Sequence, residues 1–288
     1  MSIWEAIIQG LIQAATEFLP ISSSGHLALF NYLSGSDSGG ETLFTILLHM
    51  GTLIAVVFAY HKIIWEIILE AISLVKDIFA KRFKWSEMGP QRRLLMMLII
   101  AMLPLLVMVP FSSAVNAVGK NIFLLGACFI FSGVILLVGH SAGKKKKYKE
   151  KITTGDALTV GILQGVAILP GVTRSGSTIS AGLFSGMKKQ TAMQFSFILS
   201  VPTILASFVL ELIQSRDQLG TLEAMPVIVG ILVSAVFGFV AIKLLQLIIK
   251  KNRFNVFAYY CFGVGAFAIL NGLYELSVGE NLIKSLFS

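Results

Sequence analysis

Residues 13–26 read QAATEFLPISSSGH, and this polar stretch is enclosed on both sides by apolar sequence. Within it lie a carboxylate at Glu17, three consecutive hydroxyls at residues 22–24 and an imidazole at His26. An ionisable residue at the centre of a membrane helix costs roughly 2.5–3.5 kcal/mol on insertion scales, so it is usually retained for a function. The stretch therefore predicts a functional site within a bilayer, against the simpler alternative of a kinked helix with a serine cap and an isolated histidine.

The same stretch predicts a broken helix. Gln13 and Glu17 are four residues apart, so a helix would place both side chains on one face, where they can contact the same ligand. Pro20 ends that helix because it lacks an N–H group and disfavours helical geometry in the preceding residue. The serines at 22–24 are strong N-cap residues for a second helix. The free N–H groups at such a helix start form an anion site suited to phosphate.

A second stretch repeats this plan in the other half of the chain. Residues 164–176 read QGVAILPGVTRSG, and they have the same length from glutamine to glycine as residues 13–25. A Leu-Pro pair again precedes hydroxyls and a glycine, but this copy supplies Arg174, whose planar guanidinium binds phosphate oxygens through two parallel hydrogen bonds. Together the two copies offer a base, a metal ligand, hydroxyls and a fixed cation. They predict a phosphate-binding site at membrane depth.

The composition is that of a membrane protein with several spans. Hydrophobic residues make up 56% of the chain and charged residues 13%, which excludes an ordinary soluble domain. The net charge of +8 comes from basic residues in a few short loops, as the positive-inside rule expects of cytoplasmic connections. The basic run at 144–151 therefore predicts a loop beside anionic lipid, with no role in binding nucleic acid. Cys128 and Cys261 lie in apolar segments and are expected to fill the core.

We predict an all-α polytopic membrane protein with about six transmembrane helices and two re-entrant helical hairpins. The hairpins are broken at Pro20 and Pro170, and such breaks are tolerated at membrane depth only within protein or beside a cavity. An amphipathic helix from Trp65 is expected to lie in the interface. His49 falls within the first span, either as a core histidine or as part of the site. The apolar segments predict spans at residues 42–60, 94–111, 121–138, 191–213, 225–249 and 254–275.

If every basic loop is cytoplasmic, the two hairpins must enter the membrane from opposite faces. The two halves, about residues 1–140 and 152–276, would then form an inverted-topology repeat within a single integral membrane domain over residues 1–288. In such repeats the broken helices meet near the midplane of the bilayer.

The two stretches resemble a known family. Residues 17–26 and 170–176 are similar to the two signature motifs of the bacterial undecaprenyl-diphosphate phosphatases of the bacitracin-resistance type, and the resemblance covers nearly the whole chain. Gln13 stands where the family's first motif often has glutamate, and Thr173 stands where the second usually has serine. The resemblance implies hydrolysis of undecaprenyl (polyprenyl) diphosphate to undecaprenyl phosphate and inorganic phosphate. This reaction recycles the lipid carrier of cell-wall synthesis and confers bacitracin resistance.

The chemistry of individual residues predicts their roles in this reaction. Arg174 would clamp the diphosphate, while Glu17 would hold a divalent cation, Mg²⁺ or alternatively Ca²⁺, with Gln13 as a neutral oxygen ligand. His26 would activate either Ser23 as the nucleophile or a water molecule directly, and the sequence leaves both open. Hydroxyls and N–H groups of both motifs would bind substrate. These substrate-binding residues are Gln13, Ser22, Ser24, Gly25, Thr173, Ser175, Gly176 and Thr178.

The implied location is the bacterial inner (plasma) membrane, with basic loops on the cytoplasmic side. The expected partners are the polyprenyl diphosphate and membrane lipids, and a homodimer is left open. A different class of function uses the same plan, since inverted repeats with broken helices also build secondary transporters. A lipid-phosphate flippase is therefore the alternative. Glu17 with His26 favours catalysis, because passive binding of an anion gains nothing from a nearby carboxylate unless a metal or a proton is handled.

Overall fold

The computed structural model describes residues 2–34, 41–82, 84–85, 88–144, 148–149, 151–214 and 223–279, so part of the basic run at 144–151 lies outside it. Within these ranges the chain is helical and contains no strand. A 3₁₀ turn, Val109–Phe111, joins the helix Pro90–Met108 to the helix Ser112–Lys120. The helices are α1 (Ile3–Phe18), α2 (Ser23–Ser34), α3 (Glu41–Ala59), α4 (His61–Phe79), α5 (Pro90–Met108), α6 (Ser112–Lys120), α7 (Ile122–Ala142), α8 (Thr154–Val166), α9 (Arg174–Phe184), α10 (Lys189–Gln214), α11 (Ala224–Lys250) and α12 (Asn255–Val278).

Five of the described helices are long and apolar enough to cross a bilayer, namely α5, α7, α10, α11 and α12. Helix α3 meets α4 at a bend of 92°, and this pair adds a sixth span if it is counted as one broken span. The expectation of an all-α protein with about six membrane helices is thereby confirmed. The chain is a multi-pass membrane protein.

Helix α4 contains the predicted amphipathic pattern. Arg92 at the start of α5 donates hydrogen bonds to Glu70 at 2.9 Å, Ser73 at 2.8 Å and Asp77 at 2.6 Å, so the polar side of α4 is bound to α5. The remaining side of α4 is an exposed apolar surface, as expected for a helix that lies in the interface. Its exposed residues include Trp65, Leu69, Ile72, Val75 and Phe79.

Two helical hairpins, α1–α2 and α8–α9, carry the two polar stretches. The first helix of each hairpin ends shortly before a proline: α1 ends at Phe18, before Pro20, and α8 ends at Val166, before Pro170. Shortly after each proline the backbone takes a left-handed conformation, with φ of 70° at Ser22 and 92° at Gly171. Glycine adopts this conformation without steric cost, whereas a serine rarely does so.

A hydroxyl caps the second helix of each hairpin, as the sequence predicted. Ser22 Oγ accepts a hydrogen bond from the amide of Gly25 at 3.2 Å, and Thr173 Oγ1 accepts one from the amide of Gly176 at 3.3 Å. Each cap satisfies one N–H group that has no acceptor inside the helix. The hydroxyls of Ser22 and Thr173 therefore fix the starts of α2 and α9.

The tips of the two hairpins touch each other at glycines. A Cβ atom on Gly25 would lie 2.6 Å from Gly171 Cα, and one on Gly176 would lie 2.9 Å from Pro20 Cβ. Both distances are too short for an ordinary contact, so each hairpin packs closely against the turn of the other. The docking brings the two polar stretches together.

Each hairpin also packs against a long helix from the other half, α1 against α11 and α8 against α5. A Cβ on Gly10 would lie 2.9 Å from Gly230 O, and one on Gly161 would lie 2.5 Å from Ala101 O. Gly10 and Gly161 are separated by the same interval as the two motif glutamines. This exchange of helices is what an inverted repeat would produce. The direction in which each half crosses the membrane stays a prediction.

Candidate active site

Glu17, in the last turn of α1, is the centre of the candidate site. Its side chain is only 6% exposed, and Oε1 forms an ion pair with the guanidinium of Arg174. Oε2 accepts hydrogen bonds from Ser23 Oγ at 3.0 Å and from Gln13 Nε2 at 3.3 Å. A buried carboxylate needs such partners, because an uncompensated charge away from water is very costly. The structure thus brings together Gln13, Glu17 and Ser23 of the first hairpin and Arg174 of the second.

The positions of these residues follow from the helices that carry them. Gln13 and Glu17 lie one turn apart on one side of α1. Ser23 is the first residue of α2 and Arg174 is the first residue of α9. They are separated by the same interval as the two motif glutamines, so they occupy equivalent positions in the two copies. Both reach Glu17 from a helix N-terminus, where unpaired N–H groups and the helix dipole favour negative charge.

His49 of α3 belongs to this site. Its Nε2 lies 3.5 Å from Glu17 Oε2, and its Nδ1 lies 2.8 Å from the carbonyl oxygen of Thr45. Because a carbonyl oxygen can only accept, Nδ1 carries a proton and Nε2 is the nitrogen that faces the carboxylate. The sequence left His49 open as a core residue or a site residue. Its only signal was an ionisable side chain in an apolar span, and no spacing related it to Glu17 on another helix.

His26 has different neighbours from those expected. Its Nδ1 lies 2.7 Å from the carbonyl oxygen of Ser22, and its Nε2 lies 2.8 Å from the hydroxyl of Tyr260. The ring stacks on Tyr260 with centroids 5.6 Å apart and meets the edge of Phe129 at 5.2 Å. The hydroxyl of Ser23 is donated to Glu17 instead. The expected His26–Ser23 pair is therefore not formed, because the imidazole binds the carbonyl four residues back along α2.

Other residues that we expected to bind substrate shape the helix starts. Thr178 is buried, donates to the carbonyl of Arg174 at 2.9 Å and lies 2.6 Å from Ser196 Oγ. Ser175 is also buried, with its hydroxyl 3.4 Å from Thr173 Oγ1. The side chains of Thr178 and Ser175 thus point into the protein and hold α9 in place.

The backbone N–H groups in the first turns of α2 and α9 are placed to bind phosphate. Those of Gly25 and Gly176 are already bound by the capping hydroxyls. The amides of Ser24 and Ser175 precede them in each helix and have no acceptor within the helix itself. Ser24 is exposed. An anion between the two helix starts could therefore accept hydrogen bonds from both hairpins.

Ser132 of α7 supports the second hairpin, although no sequence pattern pointed to it. Its fully buried hydroxyl donates to the carbonyl of Gly171 at 2.8 Å and accepts from the amide of Thr173 at 2.9 Å. These two bonds fix the turn that precedes Arg174. A single serine in an apolar span carries no spacing that could have predicted this contact.

The donor set fits an open divalent cation site. The carbonyl oxygen of Gln13 is buried and lacks a hydrogen-bond partner among the described residues, so an acceptor is available beside Glu17. The described ranges contain no group of three or more His, Cys, Asp or Glu side chains that could hold a metal. Mg²⁺ commonly takes one or two protein oxygens together with substrate phosphates and waters, which matches Glu17 and Gln13.

Residues 6–267 match the protein family described as BacA, bacitracin resistance protein BacA. The chain belongs to the BacA family. It is similar to an undecaprenyl-diphosphatase of Methanobrevibacter smithii, with 37% identity over 284 residues that cover 96% of this chain and 100% of the relative. Proteins of the same name from Alkaliphilus metalliredigens and Bacteroides fragilis are each 36% identical to it. Those matches cover 95% and 94% of this chain and 100% and 98% of the relatives.

The family assignment confirms the resemblance read from the two motifs. The match includes both hairpins and the helices that pack against them, so BacA membership applies to the whole site. In this BacA-family chain the first motif supplies the carboxylate and the serine, and the second supplies the arginine.

Proposed function

We propose that this BacA-family protein is an enzyme that hydrolyses undecaprenyl diphosphate to undecaprenyl phosphate and inorganic phosphate. The names of its relatives support this activity and do not favour the lipid-phosphate flippase. One observation carries the proposal: the buried carboxylate of Glu17 is bound at once by the hydroxyl of Ser23 and the guanidinium of Arg174. Side chains suited to act as a nucleophile, a base and a phosphate-binding cation therefore lie within one cluster.

In the proposed mechanism Ser23 attacks the terminal phosphorus of the diphosphate. Glu17 takes the proton from the hydroxyl, and the 3.0 Å hydrogen bond between them supports this role. A bond forms between Ser23 Oγ and phosphorus as the bond from phosphorus to the bridging oxygen breaks. Undecaprenyl phosphate leaves with that electron pair. Water then attacks the phosphorus, the bond between phosphorus and Ser23 Oγ breaks, and Oγ takes back the proton held by Glu17 as inorganic phosphate leaves. Glu17, rather than His26, is thus the base for Ser23.

Arg174 would stabilise the charge that develops during phosphoryl transfer. Its guanidinium can bind two non-bridging oxygens at once, while the first-turn amides of α2 and α9 donate to others. Catalysis of phosphoryl transfer rests mainly on such positioning and electrostatic stabilisation. Because Arg174 is paired with Glu17 in this structure, a bound diphosphate would share the guanidinium and leave the carboxylate available as a base.

A divalent cation, Mg²⁺ or alternatively Ca²⁺, is part of the proposal. Glu17 and Gln13 would hold it, and when bound it would neutralise charge on the diphosphate. The proposed setting is the bacterial inner membrane with the basic loops in the cytoplasm, where the reaction recycles the lipid carrier of cell-wall synthesis. The proposal is compatible with a homodimer.

The test is release of inorganic phosphate from undecaprenyl diphosphate by purified protein in detergent, where transport between compartments has no meaning. We expect turnover by the wild type and a loss of at least about a hundredfold in Ser23→Ala. Ser277→Ala, which removes an exposed hydroxyl at the far end of α12, is the control and should keep full activity. Wild-type protein that binds the lipid but releases no phosphate would refute the proposed activity and favour the flippase.

A further inference from the structure

Tyr260 of α12 contacts His26 of the first hairpin in two ways. Its hydroxyl lies 2.8 Å from His26 Nε2, and the two rings stack with an interplanar angle of 17°. Helix α12 belongs to the second half of the chain. The neighbouring residue, Cys261, lies with its Sγ 3.7 Å from the carbonyl oxygen of Pro20. Helix α12 therefore contacts the first hairpin both at its turn and at α2.

The hydrogen bonds around His26 have a defined direction. The carbonyl oxygen of Ser22 can only accept, so Nδ1 of His26 carries the proton at the 2.7 Å contact. In the neutral imidazole Nε2 is then an acceptor, and the hydroxyl of Tyr260 is the donor. A continuous chain of hydrogen bonds runs from Tyr260 through His26 to the backbone of Ser22.

The end of this chain is the turn that positions the nucleophile. Ser22 has a left-handed φ of 70°, a conformation that a serine keeps only when its surroundings hold it. Its carbonyl is bound by His26, and its hydroxyl caps α2 at the amide of Gly25. The next residue is Ser23, whose hydroxyl faces Glu17. A change in the Ser22 backbone would therefore move the Ser23 hydroxyl relative to its base.

We infer that Tyr260 is a positioning residue for the hydrolysis reaction. Through His26 it holds the Ser22 turn in its left-handed conformation, and it thereby fixes the direction of the Ser23 hydroxyl toward Glu17. The inference rests on the proposed function and adds to it a residue outside both sequence motifs. It also gives His26 a role in holding this turn.

The test compares two neighbouring tyrosines. Tyr260→Phe keeps the stacked ring and removes only the hydroxyl, and we expect kcat to fall roughly ten- to a hundredfold. KM should stay within about twofold, because the groups that bind the diphosphate are unchanged. Tyr259→Phe removes a hydroxyl from the adjacent residue, which is 61% exposed, and should leave kcat and KM at their wild-type values. Thermal unfolding in detergent should be the same for all three proteins.

A double-mutant cycle separates positioning through His26 from a general effect on the fold. In a His26→Ala background the hydrogen-bond chain is already broken, so Tyr260→Phe should cause no further loss of kcat. Tyr260→His, which keeps an aromatic ring and an N–H donor, should recover more activity than Tyr260→Phe. It also serves as the second variant if Tyr260→Phe does not fold.

The possible results distinguish this inference from the proposed function. If the wild type releases no phosphate, the proposed function fails. If the wild type is active and Tyr260→Phe is equally active, only the role of Tyr260 fails. A loss that persists undiminished in the His26→Ala background, or one seen in KM alone, would also overturn that role.

Discussion

Glu17 carries a negative charge into a region built from apolar helices, and its neighbours determine what that charge can do. Arg174 balances the charge, while Ser23 and Gln13 donate hydrogen bonds to the second oxygen. Removal of one partner from a buried ion pair costs about 3–5 kcal/mol, because the other charge is left uncompensated. A truncation of Arg174 would therefore disturb folding together with catalysis. A substitution that neutralises Glu17 but keeps its shape is the cleaner test, because the charge that it leaves behind is on Arg174, whose side chain is 22% exposed against 6% for Glu17.

We expect Glu17→Gln to fold and to lose turnover by roughly two to four orders of magnitude, since the amide retains an acceptor but cannot take the proton of Ser23. Phosphate release by purified protein measures the loss, and a thermal unfolding scan checks the fold. Glu5→Gln is the matched control, because Glu5 is an exposed glutamate on the same helix whose role in the capping box a glutamine can replace. Near-wild-type turnover in Glu17→Gln, with unchanged metal dependence, would exclude both the base and the metal ligand.

The site depends on close contact between the two hairpins, and the tip of the first hairpin requires glycine at Gly25. A Cβ at Gly25 would lie 2.6 Å and 2.7 Å from two backbone atoms of Gly171. Backbone atoms in a turn held by Ser132 cannot move aside as a flexible side chain can. A larger residue at Gly25 must therefore separate the two hairpins, and with them Ser23 and Arg174.

We expect Gly25→Ala to lower the free energy of unfolding by about 1–3 kcal/mol, the usual cost of an overpacked contact, and to abolish most phosphate release. Gly263→Ala is the control, because Gly263 lies within helix α12 and a Cβ there would have no neighbour within 4 Å. Alanine at that position should leave the stability unchanged or raise it slightly. Equal activity in Gly25→Ala and the wild type would show that the hairpins do not need this close contact.

The sequence predicted those elements whose signals are local. Proline at Pro20 and Pro170, followed by capping hydroxyls, was sufficient to predict two broken helices and their starts. The partner of His26 was not predictable in this way. Its spacing from Ser23 allowed a contact within α2, but the ring is held by Tyr260, a residue more than two hundred positions away. For the same reason the sequence left the role of His49 open and did not predict that of Ser132, because both roles depend on how separate helices pack.

At the scale of the whole molecule, contacts between basic segments place them at one end of the helix bundle. Arg93 donates to the carbonyl of Ile152 at 2.9 Å, and the amide of Lys149 donates to the carbonyl of Gly186 at 3.0 Å. Lys189 in turn donates to Asn252 Oδ1 at 2.6 Å. These bonds link four segments that are far apart in the chain. A common end for the basic segments is what the positive-inside rule requires of cytoplasmic loops.

The last prediction concerns the face of the membrane that each hairpin enters. Single cysteines would be introduced into a variant in which Cys128 and Cys261 are replaced by alanine, and labelled with a maleimide that does not cross membranes. We expect Lys151→Cys and Lys251→Cys to react only from the cytoplasmic side. Lys151 is the last residue of the basic run at 144–151, and Lys251 lies between Lys250 and Arg253. Ser38→Cys, which lies between α2 and α3 and outside the described residues, should react only from the outer side.

Each possible labelling result has a structural consequence. If the cysteines at Ser38 and Lys151 are labelled from opposite faces, the two hairpins enter the membrane from opposite sides. The packing of α1 on α11 and of α8 on α5 is then that of an inverted repeat. The candidate site, with Ser23 from the first half and Arg174 from the second, would then be shared by two halves of opposite orientation. If Ser38 and Lys151 react from the same face, both hairpins enter from one side. The repeat would then be parallel, although the contacts around Glu17 would be unchanged.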